Sequence, residues 1–266
     1  MRNIKAVFNK QLVSYIYNPE RWGAPAAFLL IPFIFMIASP DANMALLTIQ
    51  FVIMFVGISM IGGTAAIIRE DRETKNLRFM GMAGVKPYQY LISTCSVLLL
   101  VSFGVLLLFG FIAGHYGGVL VNFMIITMLG VACSMLLGMT FGLSKLAPFT
   151  WIIGILLGVG PVMAADAGIE VLSQVFYFTH TYQINVALRG GSMELPNFTT
   201  LYELYENYNI VDIYGMIELI REMRTPTELV TLPMSSVRIM IANMGVMLLA
   251  FIGINLRYGL DGERAR

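Results

Sequence analysis

The chain has 266 residues, of which 58% are hydrophobic and 12% are charged. Soluble globular domains are about one-quarter charged, so the composition excludes that class and points to an integral membrane protein. The formal net charge of +1 says nothing about partners, because the charges are sorted by position along the chain.

Residues 2–17 come first. Ile4, Val7, Phe8, Leu12, Tyr15 and Ile16 share one helical face, while Arg2, Lys5, Asn9 and Lys10 lie largely elsewhere. This predicts an interfacial amphipathic helix on the inner leaflet; the alternative is an ordinary helix packed on protein. The first apolar run begins only near Ala24 and contains Pro25 and Pro32. A signal peptide places its apolar region directly after a short basic start, so this run is expected to be a retained, kinked span.

Uncharged apolar runs occur at about 23–39, 44–68, 88–113, 119–144, 147–165 and 239–256. Crossing a bilayer takes roughly 20 residues of helix, so six spans are predicted. Pro40-Asp41-Ala42-Asn43 reads as a tight turn between the first two. Between the second and third lies a charged island, Arg69-Glu70-Asp71-Arg72-Glu73-Thr74-Lys75-Asn76-Leu77-Arg78. Loops of this kind are where a soluble partner can grip a membrane domain.

After the fifth span comes the one large non-spanning segment, about 166–235. Val171 to Leu188 is apolar and aromatic but interrupted by Gln174, Thr179, His180 and Asn185. A helix pair dipping into the outer leaflet, shielded by protein, satisfies that pattern. Thr200 to Thr225 interleaves apolar residues with acids and predicts short amphipathic helices in an external cap. Pro226 and Pro233 break the chain before the last span.

Lys and Arg set the orientation. With the N-terminus inside, 13 of the 17 fall on the inner side, and Arg189, Arg221, Arg224 and Arg238 fall outside. Both termini and the island are therefore expected in the cytoplasm, with the chain multi-pass in the plasma membrane.

Several chemistries are missing from the sequence. No phosphate-binding Gly-x-x-x-x-Gly-Lys-Ser/Thr, His-Glu-x-x-His, Cys-x-x-Cys or Gly-x-Ser-x-Gly occurs, and His115 and His180 are the only histidines. No catalytic residue, metal site or cofactor is expected on this chain, nor a nucleic-acid partner. Cys95 and Cys133 fall inside apolar spans and are expected as buried free thiols. The predicted spans hold no ionisable side chain, which argues against an ion-coupled carrier or a selective ion channel. Gly110/Gly114, Gly138/Gly142 and Gly154/Gly158 suggest close helix packing, the last pair as a weak dimer interface on the fifth span. Energy for any transport must then come from another chain.

Three segments carry a family resemblance. Phe8-Asn9-Lys10-Gln11-Leu12 with Tyr17-Asn18-Pro19 is one. Arg69 through Leu77, followed by Met80-Gly81-Met82-Ala83-Gly84-Val85-Lys86-Pro87-Tyr88, is the second. Thr181-Tyr182-Gln183-Ile184-Asn185-Val186-Ala187-Leu188-Arg189-Gly190 is the third. Together they resemble the ABC-2 type permeases, the membrane subunits of ATP-driven exporters. The Asn-Pro that usually opens the third segment is missing, and Thr179-His180 stand near its place.

The resemblance implies an all-α membrane protein of six transmembrane helices. It has an interfacial helix at 1–22, spans one to five over 23–165 with a cytosolic coupling helix at 69–84, external helices over 166–235, and the last span with a cytosolic tail over 236–266. It implies two ABC ATPase subunits, which bind the ATP and Mg, and a second permease copy or a relative, within membrane lipid in a prokaryotic cell. Glu70, Asp71, Arg72, Glu73, Lys75 and Arg78 would set the docking register on the ATPase, with Leu77, Phe79 and Met80 burying against it. Phe51, Met54, Phe55, Met60, Trp151 and Met163 are expected along the substrate path between the second and fifth spans. An uncharged path rich in Met and aromatics favours an apolar or amphipathic cargo: a drug, a lipid-like molecule or a hydrophobic peptide. The alternative is a non-transporting module that passes ATPase-driven shape change to an external partner.

Overall fold

The computed structural model describes residues 2–38, 44–113, 115, 117–144, 147–166, 170–189 and 234–258. Among them every regular element is helical. In chain order these are α1 (Arg2–Tyr17), α2 (Pro19–Ala38), α3 (Met44–Met54), a π-helical segment (Phe55–Met60), α4 (Ile61–Glu73), α5 (Asn76–Met82), α6 (Pro87–Ile112), α7 (Gly117–Leu143), a 3-10 turn (Ala147–Phe149), α8 (Thr150–Asp166), α9 (Glu170–Phe176), α10 (His180–Leu188) and α11 (Met234–Tyr258).

Among the described residues, five helical stretches are long and apolar enough to cross a membrane: Leu46–Glu73, Tyr88–Ile112, Gly117–Leu143, Ala147–Ala164 and Met234–Ile254. The chain is a multi-pass membrane protein. At the position of the first predicted span stands α2, 20 residues long with Pro25 and Pro32 inside it.

The second span is the axis of the bundle. Its most apolar stretch is 72% buried by the rest of the chain, against 11% for the last span. Glycines let its neighbours approach this closely. A Cβ on Gly138 of α7 would stand 2.6 Å from the Ile61 carbonyl oxygen, and one on Gly57 would stand 2.5 Å from the Cα of Gly158 in α8. Gly142 and Gly154 likewise face Ala65 and the Gly57–Ile58 backbone. The Gly154/Gly158 pair is thus consumed within the chain, and the dimer interface expected there is corrected: small residues serve whichever backbone comes nearest.

The same axis runs on past the predicted boundary at Ile68. Helix α4 continues unbroken through Arg69-Glu70-Asp71-Arg72-Glu73 and ends at Thr74, where Lys75 turns left-handed with φ 60°. The coupling helix expected over 69–84 is therefore two pieces. The first is a polar extension of a span and the second is the short α5. Thr74 Oγ1 donates to the Glu70 carbonyl at 2.7 Å and closes the first piece. At the end of α5, Gly84 adopts φ 76°, and the Val85 and Gly84 amides reach back to Met80 and Gly81. That is a Schellman closure, which needs glycine at its left-handed position. The third span then restarts cleanly. Lys86 is extended, Pro87 takes the first helical position and Gln89 Oε1 accepts the Lys86 amide at 3.0 Å, an arrangement suited to helix entry.

Helix α1 forms over the predicted residues but not as a helix resting on lipid alone. Val7, Gln11 and Tyr15 are buried against protein, chiefly α6, while Ile16, expected on the same apolar face as Val7 and Tyr15, is half exposed. Asn3 donates to the Gly84 carbonyl, and Ser93 donates to the Ile4 carbonyl at 3.0 Å.

At the opposite end of the bundle, α9 and α10 form the expected helix pair over Glu170–Leu188. Thr179 caps α10 by accepting the Tyr182 amide at 3.3 Å. Nearly all of α10 is buried. His180 Nε2 meets Ser134 Oγ at 2.7 Å, and Asn185 donates to the Pro161 carbonyl at 3.2 Å. The expected cap at 200–225, Pro226 and Pro233, and the turn at 40–43 lie outside the described residues.

Candidate functional site: a polar junction and a cavity beside the charged island

Position along α4 decides what each island residue does. Ile61, Thr64, Ile68 and Asp71 recur at helical spacing, and all four are buried. Asp71 thus sits on the inner stripe of the span although it belongs to the charged run. Its carboxylate accepts from Tyr90 Oη at 2.8 Å, Gln11 Nε2 at 2.8 Å and Asn76 Nδ2 at 3.1 Å, with Lys10 Nζ at 3.3 Å. Four elements meet on one side chain: α1, α4, the start of α5 and the start of α6. A carboxylate is an acceptor with about four lone-pair sites, so this one is saturated.

Neighbouring island residues hold the junction from outside. Arg72 Nη1 donates to the Leu143 carbonyl at 3.1 Å, fixing the end of α7. Arg69 pairs with Glu73 at 3.4 Å along the helix. Glu70 pairs with Arg21 Nη2 of α2 at 2.8 Å.

The docking set expected from the sequence therefore divides. Asp71 is turned into the chain and Leu77 is 6% exposed in the core, so neither faces outward and both are corrected from docking to internal roles. Asp71 extends the inward stripe of α4, and Leu77 packs into the core from α5. Met80 is half-buried against the core. Glu73, Lys75, Arg78 and Phe79 are exposed, and so is Met82. Phe79 and Met82 are 61% and 68% exposed, leaving an apolar pair on α5 beside Lys75 and Arg78.

A cavity of about 190 Å³ lies next to the junction. Tyr15, Asn18, Arg21, Pro25, Ser59, Met60, Gly63, Ala66, Ile67, Glu70, Leu98 and Trp151 line it. It has a polar end, with Tyr15, Asn18, Arg21 and Glu70, and an apolar end, with Met60, Leu98 and Trp151. The Trp151 ring packs over Gly62, where a Cβ would stand 3.0 Å from it. Burial pushes the Tyr15 hydroxyl up to about 12, with the Arg21 charge pulling the other way. The Arg21 side chain is 9% exposed. Its Nη2 goes to Glu70, whereas Nε and Nη1 are buried without a hydrogen-bond partner.

Of the six residues expected along a substrate path, the structure brings Met60 and Trp151 to this cavity. Phe55 is in the core, with ring centroids 6.3 Å from Phe28 and 6.2 Å from Phe109, so its place on the path is corrected: the π-helical segment turns it inward. Phe51 and Met54 are half-buried higher on the same helix, and Met163 is exposed toward the far end of α8.

Gln11, Asn76 and Tyr90 escaped sequence reasoning as partners of Asp71, and Arg21 as a cavity residue. Two signals were present. Gln11 interrupts the apolar stripe Val7–Tyr15, and Asp71 extends the stripe Thr64–Ile68 by one turn. A polar residue on an apolar stripe needs a partner when buried. Among the described residues, no three His, Cys, Asp or Glu side chains come together as metal ligands would. Compared with models of protein families and with curated proteins, the chain matches none.

Proposed function

We propose that this chain is the permease subunit of an ATP-driven ABC exporter that moves an apolar or amphipathic compound out of the cell. It has six spans and both termini in the cytoplasm, and it sits in a prokaryotic plasma membrane. It is not itself an enzyme; ATP and Mg belong to two copies of a partner ATPase, and a second permease copy or relative completes the complex. The observation that carries this reading is the junction at Asp71. It ties α1, α4, α5 and α6 into one body, so a push on α5 moves the second and third spans together. Rigid coupling of this kind is what domain-driven transport requires. The exposed Phe79–Met82 pair beside Lys75 and Arg78 supports a contact whose apolar anchors give affinity and whose charges give register.

The test uses the tagged chain purified with its ATPase subunit. Replacing an anchor with a charge, F79D, is expected to cut co-purified ATPase and cargo efflux by about tenfold or more, on the order of a hot-spot loss. Retention of both at the original level by F79D sinks the docking role. A fully active preparation with no nucleotide-hydrolysing companion sinks the exporter reading itself. The acidic, aromatic stretch over residues 200–225 favours a second reading, a non-transporting module acting on an external partner. ATP hydrolysis stimulated by added cargo separates the two.

A further inference from the structure

The cavity beside Arg21 shares Met60 and Trp151 with the expected substrate path, but its polar end belongs to no part of that path. Three observations make it a binding site. A guanidinium has five N–H donors in a fixed fork, and here only the Nη2 corner is engaged, by Glu70 at 2.8 Å. Nε and Nη1 are buried without acceptors, and buried charged donors left unsatisfied are costly enough that an acceptor from outside the chain is expected. Arg21 also lines a cavity with the room for one, about 190 Å³, whose lining joins Arg21, Asn18 and Tyr15 with Met60, Leu98 and Trp151. That gradient suits a ligand with a polar head and an apolar body.

The lining also limits the head's charge. Its two ionised side chains, Arg21 and the half-exposed Glu70, sum to zero. A purely anionic head would meet the Glu70 carboxylate as well as Arg21. A head with an oxyanion and an ammonium meets both with complementary sign. The cavity lies among α1, α2, the second and third spans and the start of α8, next to the charged island, and a charged segment flanking an apolar span suits the headgroup level of a bilayer.

We propose that this cavity holds the headgroup of a zwitterionic phospholipid bearing a free ammonium, as phosphatidylethanolamine does. The phosphate oxygens take the unpaired edge of Arg21, which turns about its bond to Glu70 to present it. The ammonium lies against Glu70, and the first acyl carbons lie along Met60 and Trp151. The inference rests on the membrane reading but not on the ATPase, so its failure leaves the exporter proposal standing and the reverse.

The experiment is lipid retention by the purified full-length chain, measured by native mass spectrometry with phosphatidylethanolamine, phosphatidylcholine and phosphatidylglycerol added in turn. The wild type is expected to retain phosphatidylethanolamine in preference to the other two. R21Q is expected to lower that retention by about tenfold or more. G63L offers a second variant that leaves both charged groups in place. Gly63 lines the cavity, and a Cβ there meets nothing within 4 Å, so the added side chain starts in open space. It is expected to lower retention while the melting temperature holds. E70Q is expected to erase the preference for phosphatidylethanolamine over phosphatidylglycerol. Equal retention of all three lipids by the wild type overturns the proposal. So does unchanged retention in R21Q and G63L, or a preference that survives E70Q. Displacement of the lipid by free phosphoethanolamine at equal concentration would assign the site to a soluble zwitterion and overturn the lipid assignment.

Discussion

Asp71 and Arg21 are buried charges on neighbouring helices, and their surroundings differ in one respect. Asp71 has a donor for every direction its carboxylate can accept. Arg21 has one acceptor and two nitrogens without any. The Asp71 side belongs to the architecture, because removing the carboxylate strands three polar groups of the chain's own. The Arg21 side leaves two donors unmet among the described residues. Buried polar groups are normally paired, and of these two charges only Asp71 meets that rule fully.

Stability measurements on variants put a scale on that difference. D71A should have the largest effect. It leaves Tyr90, Gln11 and Asn76 without their acceptor, and at 1.5–3 kcal/mol for a hydrogen bond to a charged group, an aggregate loss of about 3 kcal/mol or more is expected. Thermal unfolding in detergent micelles reads it as a markedly lower midpoint, and a midpoint unchanged by D71A breaks the comparison at its root. Y90F removes one donor and leaves three, so a loss of about 1.5 kcal/mol is expected in the same assay. R21Q should cost least, below about 1 kcal/mol. Among the described residues its ion pair is with a half-exposed Glu70, and the substitution removes two unsatisfied donors. An R21Q loss as large as that of D71A would show that both charges hold the fold and that the contrast is false.

The contrast also divides the charged island. Glu70, Asp71 and Glu73 are interchangeable on the criterion of composition, and the sequence placed all three in one docking set. The helix separates them by 100° steps. Asp71 turns toward α1 and α6, Glu70 turns toward α2, and Glu73 stays along its own helix with Arg69. A partner meeting this face would therefore touch α5, at Phe79 and Met82, more than the acids of α4.

The sequence alone determined the class of the molecule, the position of the long apolar helices and the bounds of α1. These follow from runs and periodicities, which are local properties of the chain. The two short helices at Glu170–Phe176 and His180–Leu188 were legible for the same reason: an apolar stretch punctuated by Gln174, Thr179, His180 and Asn185 must be helical and sheltered. Tertiary structure decided the rest. It turned Phe55 into the core through a π-helical segment, spent Gly154 and Gly158 on the chain's own second span, and gathered Gln11, Asn76 and Tyr90 on Asp71. It also left Arg21 beside a cavity between helices that are distant in sequence. Each of those outcomes depends on which backbone arrives next to which side chain, and sequence spacing carries no information about that once the helices begin to pack.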